Sequence, residues 1–182
     1  MNTPGDFSVL WDAPVVPGVS LAGIPLLASY SDVEMAISTY LVDAELMLYR
    51  FSRGPELRLQ SRVLDGHGNG GWLFALPHDD GSGRTAALSI SIRCWTVRSI
   101  KVYALGLPGD VIQSHSYRGA TAESIGLGDL VSSFLGFTRL DFDEAEEWFY
   151  TDDAYGSLEI SGWGVPLEDE PEQIVTAMCV TA

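Results

Sequence analysis

Between residues 45 and 105 apolar and polar positions alternate with a period of two, which predicts an antiparallel meander. In ELMLYRF (45–51) Leu46, Leu48 and Arg50 alternate with Met47, Tyr49 and Phe51. In ELRLQSRV (56–63) Leu57, Leu59, Ser61 and Val63 alternate with Arg58, Gln60 and Arg62, giving one apolar and one basic face. GWLFAL (71–76), AALSISIRCW (86–95) and SIKVYAL (99–105) continue the series. The glycine-rich DGHGNGG (65–71) reads as a loop and HDDGSGR (78–84) as a hairpin turn. VIQSHSYRG (111–119) is expected to add a strand.

Ahead of the meander the period is 3.6. Val33, Ile37 and Leu41 lie four apart, and Ser31 with Glu34 has the spacing of a capping box, so a short helix is expected over 31–41. Residues 1–18, rich in Pro and Gly, read as an extended arm with an edge strand near FSVLW. A second cycle starts near residue 123. SIGLGDLVSSFLGF predicts a short helix closed by Gly136, and EEWFYT, GSLEIS and QIVTAMCV predict three strands. Both cycles place a small apolar strand or turn before a short helix and then a sheet, as VSLAGIPLLASYSDVEMAI and ESIGLGDLVSSFLG show, which makes a degenerate internal repeat. The expected fold is α+β: an antiparallel sheet with two short helices on one face. A single domain over 1–182 is expected to divide into a first cycle over 18–120 and a second, acidic cycle over 121–182.

Charge sharpens that division. Residues 121–182 hold 14 acids and one base, a net −13, whereas residues 1–120 hold 11 acids and nine bases, a net −2. The acidic region also carries Trp148, Phe149, Tyr150, Tyr155 and Trp163, so it is not the composition of a disordered tail. The balance argues against nucleic acid or an anionic membrane as partner. No apolar run reaches the length of a membrane span, and the N-terminus lacks a basic and apolar leader, so a cytoplasmic location is expected. Cys94 and Cys179 both lie in apolar strand-like runs and are expected to be buried; a bridge between them would be unusual in that compartment.

The segment DFDEAEEWFYTDD (141–153) carries the most chemistry. Asp141, Asp143, Glu144, Glu146, Glu147, Asp152 and Asp153 present a dense anionic surface, and Trp148, Tyr150, Tyr155 and Trp163 are candidate anchors, because Trp and Tyr dominate binding hot spots. The plainer reading, a solvated face that maintains solubility, weighs about equally. Alternation puts Trp148 and Tyr150 on one face and Phe149 on the other, with Phe149 expected inward. LEDEPEQ (167–173) reads as an exposed loop that extends the acidic surface. The meander's bases (Arg50, Arg53, Arg58, Arg62, Arg93, Arg98, Lys101) are expected to pair with acids of the same sheet. DGHGNGG lacks the Gly-Lys-Ser/Thr end of a phosphate loop. His78 with Asp79 and Asp80, or Asp65 with His67, lacks a third ligand at metal spacing, and no GxSxG elbow supports a hydrolase. No catalytic residue, cofactor or metal is assigned.

Two resemblances follow from these residues. Ile125-Gly126-Leu127-Gly128, Leu135-Gly136, Glu147-Trp148-Phe149-Tyr150, Leu158-Glu159-Ile160 and Ile174-Val175-Thr176-Ala177-Met178 follow one another as in the helix-then-sheet module of the β-lactamase-inhibitor and outer-membrane assembly lipoprotein superfamily, over about the last 60 residues. The chain lacks the lipoprotein signal and the cysteines of those proteins. The small acidic α+β pattern with its terminal EEWFY hairpin also resembles immunity proteins of type VI secretion and Rhs-type polymorphic toxin systems. That resemblance implies a non-enzymatic role: tight binding to a cognate protein toxin with a basic active-site cleft, occluded by the acidic, aromatic-laced surface. The alternatives are a phage or mobile-element inhibitor that mimics nucleic acid to block a host enzyme, and an enzyme of unknown chemistry.

Overall fold

A computed structural model of the chain describes residues 7–77, 85–106 and 109–182. The predicted hairpin turn 78–84, with the His78, Asp79 and Asp80 grouping, lies outside them. Within the described residues the fold is α+β, dominated by antiparallel sheet. A two-stranded ribbon of β1 (Ser20–Leu21) and β2 (Ile24–Pro25) leads into helix α1 (Tyr30–Ser38). There follow β3 (Leu41–Asp43), β4 (Leu48–Arg50), β5 (Glu56–Leu64), β6 (Gly70–Ala75), β7 (Ala86–Arg93) and β8 (Thr96–Tyr103). After two 3-10 helices, Val111–His115 and Val131–Gly136, come β9 (Leu140–Asp143), β10 (Trp148–Thr151), β11 (Leu158–Ser161) and β12 (Ala177–Thr181). β3 to β12 form one ten-stranded sheet in the order β3-β4-β5-β6-β7-β8-β12-β11-β10-β9.

One face of the sheet carries the core. Leu57, Trp72, Phe74, Leu88, Ile90, Ile100, Val102, Phe149, Leu158, Ile160, Met178 and Val180 are buried there in one cluster with Val33 and Ile37 of α1, with Val131 and Phe134 of the second 3-10 helix, and with Trp11, Leu21 and Ile24. Tyr30 of α1 stacks on Trp72 with ring centroids 4.8 Å apart. The alternate residues of the same strands point to the opposite face, on which none of the described helices packs.

The sheet is built around an approximate twofold relation. Leu27 N donates to Val97 O, Val97 N to Ala28 O and Tyr30 N to Trp95 O; the same ladder recurs as Gly128 N to Val175 O, Val175 N to Asp129 O and Val131 N to Gln173 O. The central strands obey the same relation: Ala104 N donates to Thr176 O at 2.7 Å, and Ala182 N to Arg98 O at 3.0 Å. Its axis passes through the facing pair Lys101 and Cys179, about which Ile100 pairs with Val180 and Val102 with Met178. Outward from the axis, Leu88-Ser89-Ile90-Ser91 on β8 matches Leu158-Glu159-Ile160-Ser161 on β12. Gly71-Trp72-Leu73 then takes the place of Trp148-Phe149-Tyr150. β5 to β8 thus correspond to β9 to β12, and the hairpin β3–β4 is an addition at the outer edge of the first half.

Several local expectations change. The helix cap lies two residues earlier than the predicted box. Ser29 is the cap, extended at φ −70° and ψ 150°, its Oγ accepting from Asp32 N at 3.1 Å, because the chain leaves its pairing with β8 at that residue. The helix ends at Ser38, so Leu41 lies in β3 and is exposed. The 45–51 strand is shorter, since residues 44–47 form the turn of the β3–β4 hairpin. The predicted strand at 111–119 is instead a 3-10 turn over Val111–His115. β8 already pairs with β7 and β12, so no edge is open to it there. The second predicted helix is 3-10 in geometry, not α. Cys94 is exposed, at φ +51° in the β7–β8 turn, whereas Cys179 is buried; both are free thiols.

Candidate functional site

The acidic segment folds as the hairpin β9–β10. Its turn is organised by Asp143, whose Oδ1 accepts from Ala145 N at 2.8 Å and Glu146 N at 3.2 Å, while Glu147 takes φ +60° to rejoin β10. Phe149 pairs with Phe142 and is buried; its neighbours on the strand therefore face out. Register places Trp148 beside Asp143 and Ser161, and Tyr150 beside Asp141 and Glu159. Asp141, Asp143, Trp148 and Tyr150 thus share the open face of the sheet.

Lys101, Glu159 and Cys179 complete this site, and none of the three was assigned to it by the sequence pattern. Lys101 Nζ stands 4.0 Å from the Trp148 ring centroid, a cation–π geometry. Glu159, next to Cys179 in the register, is half-buried, and burial raises its carboxyl above the usual range although the Lys101 charge opposes the rise. Burial, with the nearby Glu159 carboxylate, pushes the Cys179 thiol up to about 12. Tyr150 is raised by burial and by Glu159, Glu146 and Asp143. The alternation in GSLEIS, with Glu159 between two apolar residues, was the signal that could have placed it.

The remaining predicted residues divide. Glu144, Glu146 and Glu147 form the exposed hairpin tip. Trp163, 53% exposed, is brought near that tip, since a side chain at Gly164 would lie 2.9 Å from Glu147 Oε2. Its loop is held by Gln173, fully buried, which accepts from Trp163 N at 3.0 Å and donates to Val165 O at 2.9 Å and Glu170 O at 3.0 Å. The acids of 168–172 are exposed around it. Asp152, Asp153 and Tyr155 sit at the opposite end of β10. Asp152 is occupied with backbone, accepting from Arg139 N at 3.0 Å and from Ala154 and Tyr155 N–H groups, which depresses its carboxyl. Tyr155 packs edge-on to Phe134 and donates to Glu123 Oε2 at 2.6 Å, so it belongs to the core side and cannot anchor a partner alongside Trp148. Burial and that carboxylate raise its hydroxyl to about 12.

Of the meander's bases, Arg50 pairs with Glu56, Arg53 with Asp12 and Arg62 with Glu34. In the glycine loop Asp65 accepts from His67 N at 2.8 Å and Asn69 N at 2.9 Å, so it shapes the loop. Among the described residues no cluster of three His, Cys, Asp or Glu side chains has metal-binding geometry, and no helix is long and apolar enough to cross a membrane. Comparison with protein-family models, with curated proteins and with solved structures returns no match.

Proposed function

We propose that this chain acts by binding rather than by catalysis, as a cytoplasmic immunity protein whose acidic face occludes the basic active-site cleft of a cognate toxin. One observation carries the reading. The solvent-facing side of β9–β11 sets Trp148 and Tyr150 among Asp141, Asp143 and Glu159, and the chain covers that side with no helix among its described residues. Aromatic side chains fixed on strands cost little entropy to bury, and the acids around them select a cationic surface and speed its approach. The hairpin tip, Glu144, Glu146 and Glu147, extends the same field beyond the sheet.

Co-expression with the product of the adjacent gene tests the proposal. Toxicity of that product alone, growth of the pair and a complex that co-purifies are the expected results. Reversing Asp143, Glu144, Glu146 and Glu147 together should lower the association rate by at least about tenfold at low salt. An unchanged rate and affinity would exclude the acidic face as the docking surface.

A further inference from the structure

The twofold relation allows the two halves of the open face to be compared position by position. Where the second half has Asp141, Asp143, Trp148, Tyr150 and Glu159, the first has Ser61, Val63, Gly71, Leu73 and Ser89. The strand pairing corresponds position by position, but acidic and large aromatic side chains in the second half are replaced by neutral and mostly smaller ones in the first. Over the first half the face therefore sinks into a shallow groove of about 320 Å³, lined by Ser61, Val63, Gly71, Leu73, Ser89 and Ser91. None of these carries a charge, in a protein of net −15. Val63, 60% exposed, stands as an apolar wall beside it. Gly71 is constrained to remain bare, because at φ +153° a Cβ would lie 2.0 Å from Ile90 O.

We infer that the groove seats an apolar side chain of the same partner that the acidic half engages, so that the partner carries a protruding aliphatic or aromatic residue flanked by basic groups. The inference rests on the proposed acidic docking face. Charge complementarity selects this occupant. Basic groups have counterparts only on the second half of the face, and a residue entering the neutral, small-residue groove must itself be uncharged to avoid an unpaired buried charge. Both halves lie on one continuous surface, with β8 and β12 between them. Apolar contact at the groove supplies persistence of the complex, and the acids supply its rate of formation.

The test uses the full chain, amide-resolved NMR and two synthetic peptides: one with phenylalanine at one end of a run of arginine and lysine, the other with serine in place of the phenylalanine. The phenylalanine peptide should shift the amides of Leu73, Ser89 and Ser91 as well as those of Trp148 and Tyr150, and the serine peptide only the latter pair. Filling the groove by Ser91→Trp should remove the affinity advantage of the phenylalanine peptide, about tenfold for one buried side chain. Ser89→Leu, a smaller change at a half-exposed position, serves as the second variant, and thermal melting of each establishes that it folds. A phenylalanine peptide that shifts only the acidic half, or binds folded Ser91→Trp and Ser89→Leu as tightly as wild type, overturns the groove while leaving the acidic face standing. Failure of both peptides to shift Trp148 and Tyr150 overturns the docking face itself, and the groove inference with it.

Discussion

Lys101 Nζ lies 4.0 Å from the centre of the Trp148 ring, reaching across β12 and β11 to do so. The contact fixes the indole on the open face and sets a positive charge close to the half-buried Glu159. Lys101→Met should cost about 0.5–1 kcal/mol and change the Trp148 fluorescence. The pH dependence gives a sharper reading. A carboxyl raised in the fold is ionised at a cost, so its penalty is absent at low pH and sets in as pH rises through the folded value. Without Lys101 that rise is larger, and urea melts at pH 4 and pH 7 should show the variant losing more stability at the higher pH.

Asp152 behaves in the opposite sense. Its carboxyl is depressed, chiefly by the Arg139 backbone N–H and then by that of Tyr155. The stability it contributes is complete above its ordinary value of about 3.9 and is lost as pH falls through the folded value. Asp152→Asn should therefore melt below wild type at neutral pH and approach it under strongly acidic conditions. A constant difference across that range would show that the effect is not ionic.

Gln173 satisfies one buried N–H and two carbonyls at once. Gln173→Ala removes the side-chain partners of the Trp163 N–H and the Val165 carbonyl, while Glu170 O keeps the Gln173 backbone N–H, and should destabilise by about 2 kcal/mol, read as a shift in urea midpoint. Because those groups shape the loop that carries Trp163, hydrogen exchange over 162–173 should rise before global unfolding does.

The two thiols should react very differently with a disulfide reagent. Cys94 is exposed and should be modified within the mixing time scale of ordinary thiols. Cys179 is 2% exposed, with its thiol held near 12, and should react only when the protein unfolds. Its labelling rate at low denaturant then measures opening of the strand pair β8–β12.

Among the strands legible in the sequence, β6, β7, β8, β10 and β11 alternate buried and more exposed residues over most of their length. In β5 only Leu57 is fully buried, and β12 is buried on both faces from Ala177 to Val180, so its apolar run rather than alternation marked it. β9 was hidden because its outward residues, Asp141 and Asp143, merge into a run of acids, leaving only Leu140 and Phe142 as inward markers. The 111–115 turn shows how tertiary structure overrides a strand-like composition, because a strand requires a free edge as well as suitable residues. For the candidate site, Trp148 and Tyr150 were placed on one face by alternation, and their acids were singled out by the density of charge in 141–153. Lys101, Glu159 and the neutral groove were not, since each depends on which strands adjoin. The axis was equally hidden, for the residues that face each other across it, Lys101 and Cys179, share no chemistry.

The position of that axis within one chain has a consequence for how anything docks. In a symmetric dimer every substitution appears on both sides of the twofold, so a dimeric sheet of this design would present the same residues left and right. Joining the halves covalently removes that restriction: Asp143 can stand opposite Val63, and Trp148 opposite Gly71. The surface acquires a direction, and a visitor that fits it in one orientation is refused in the reverse one.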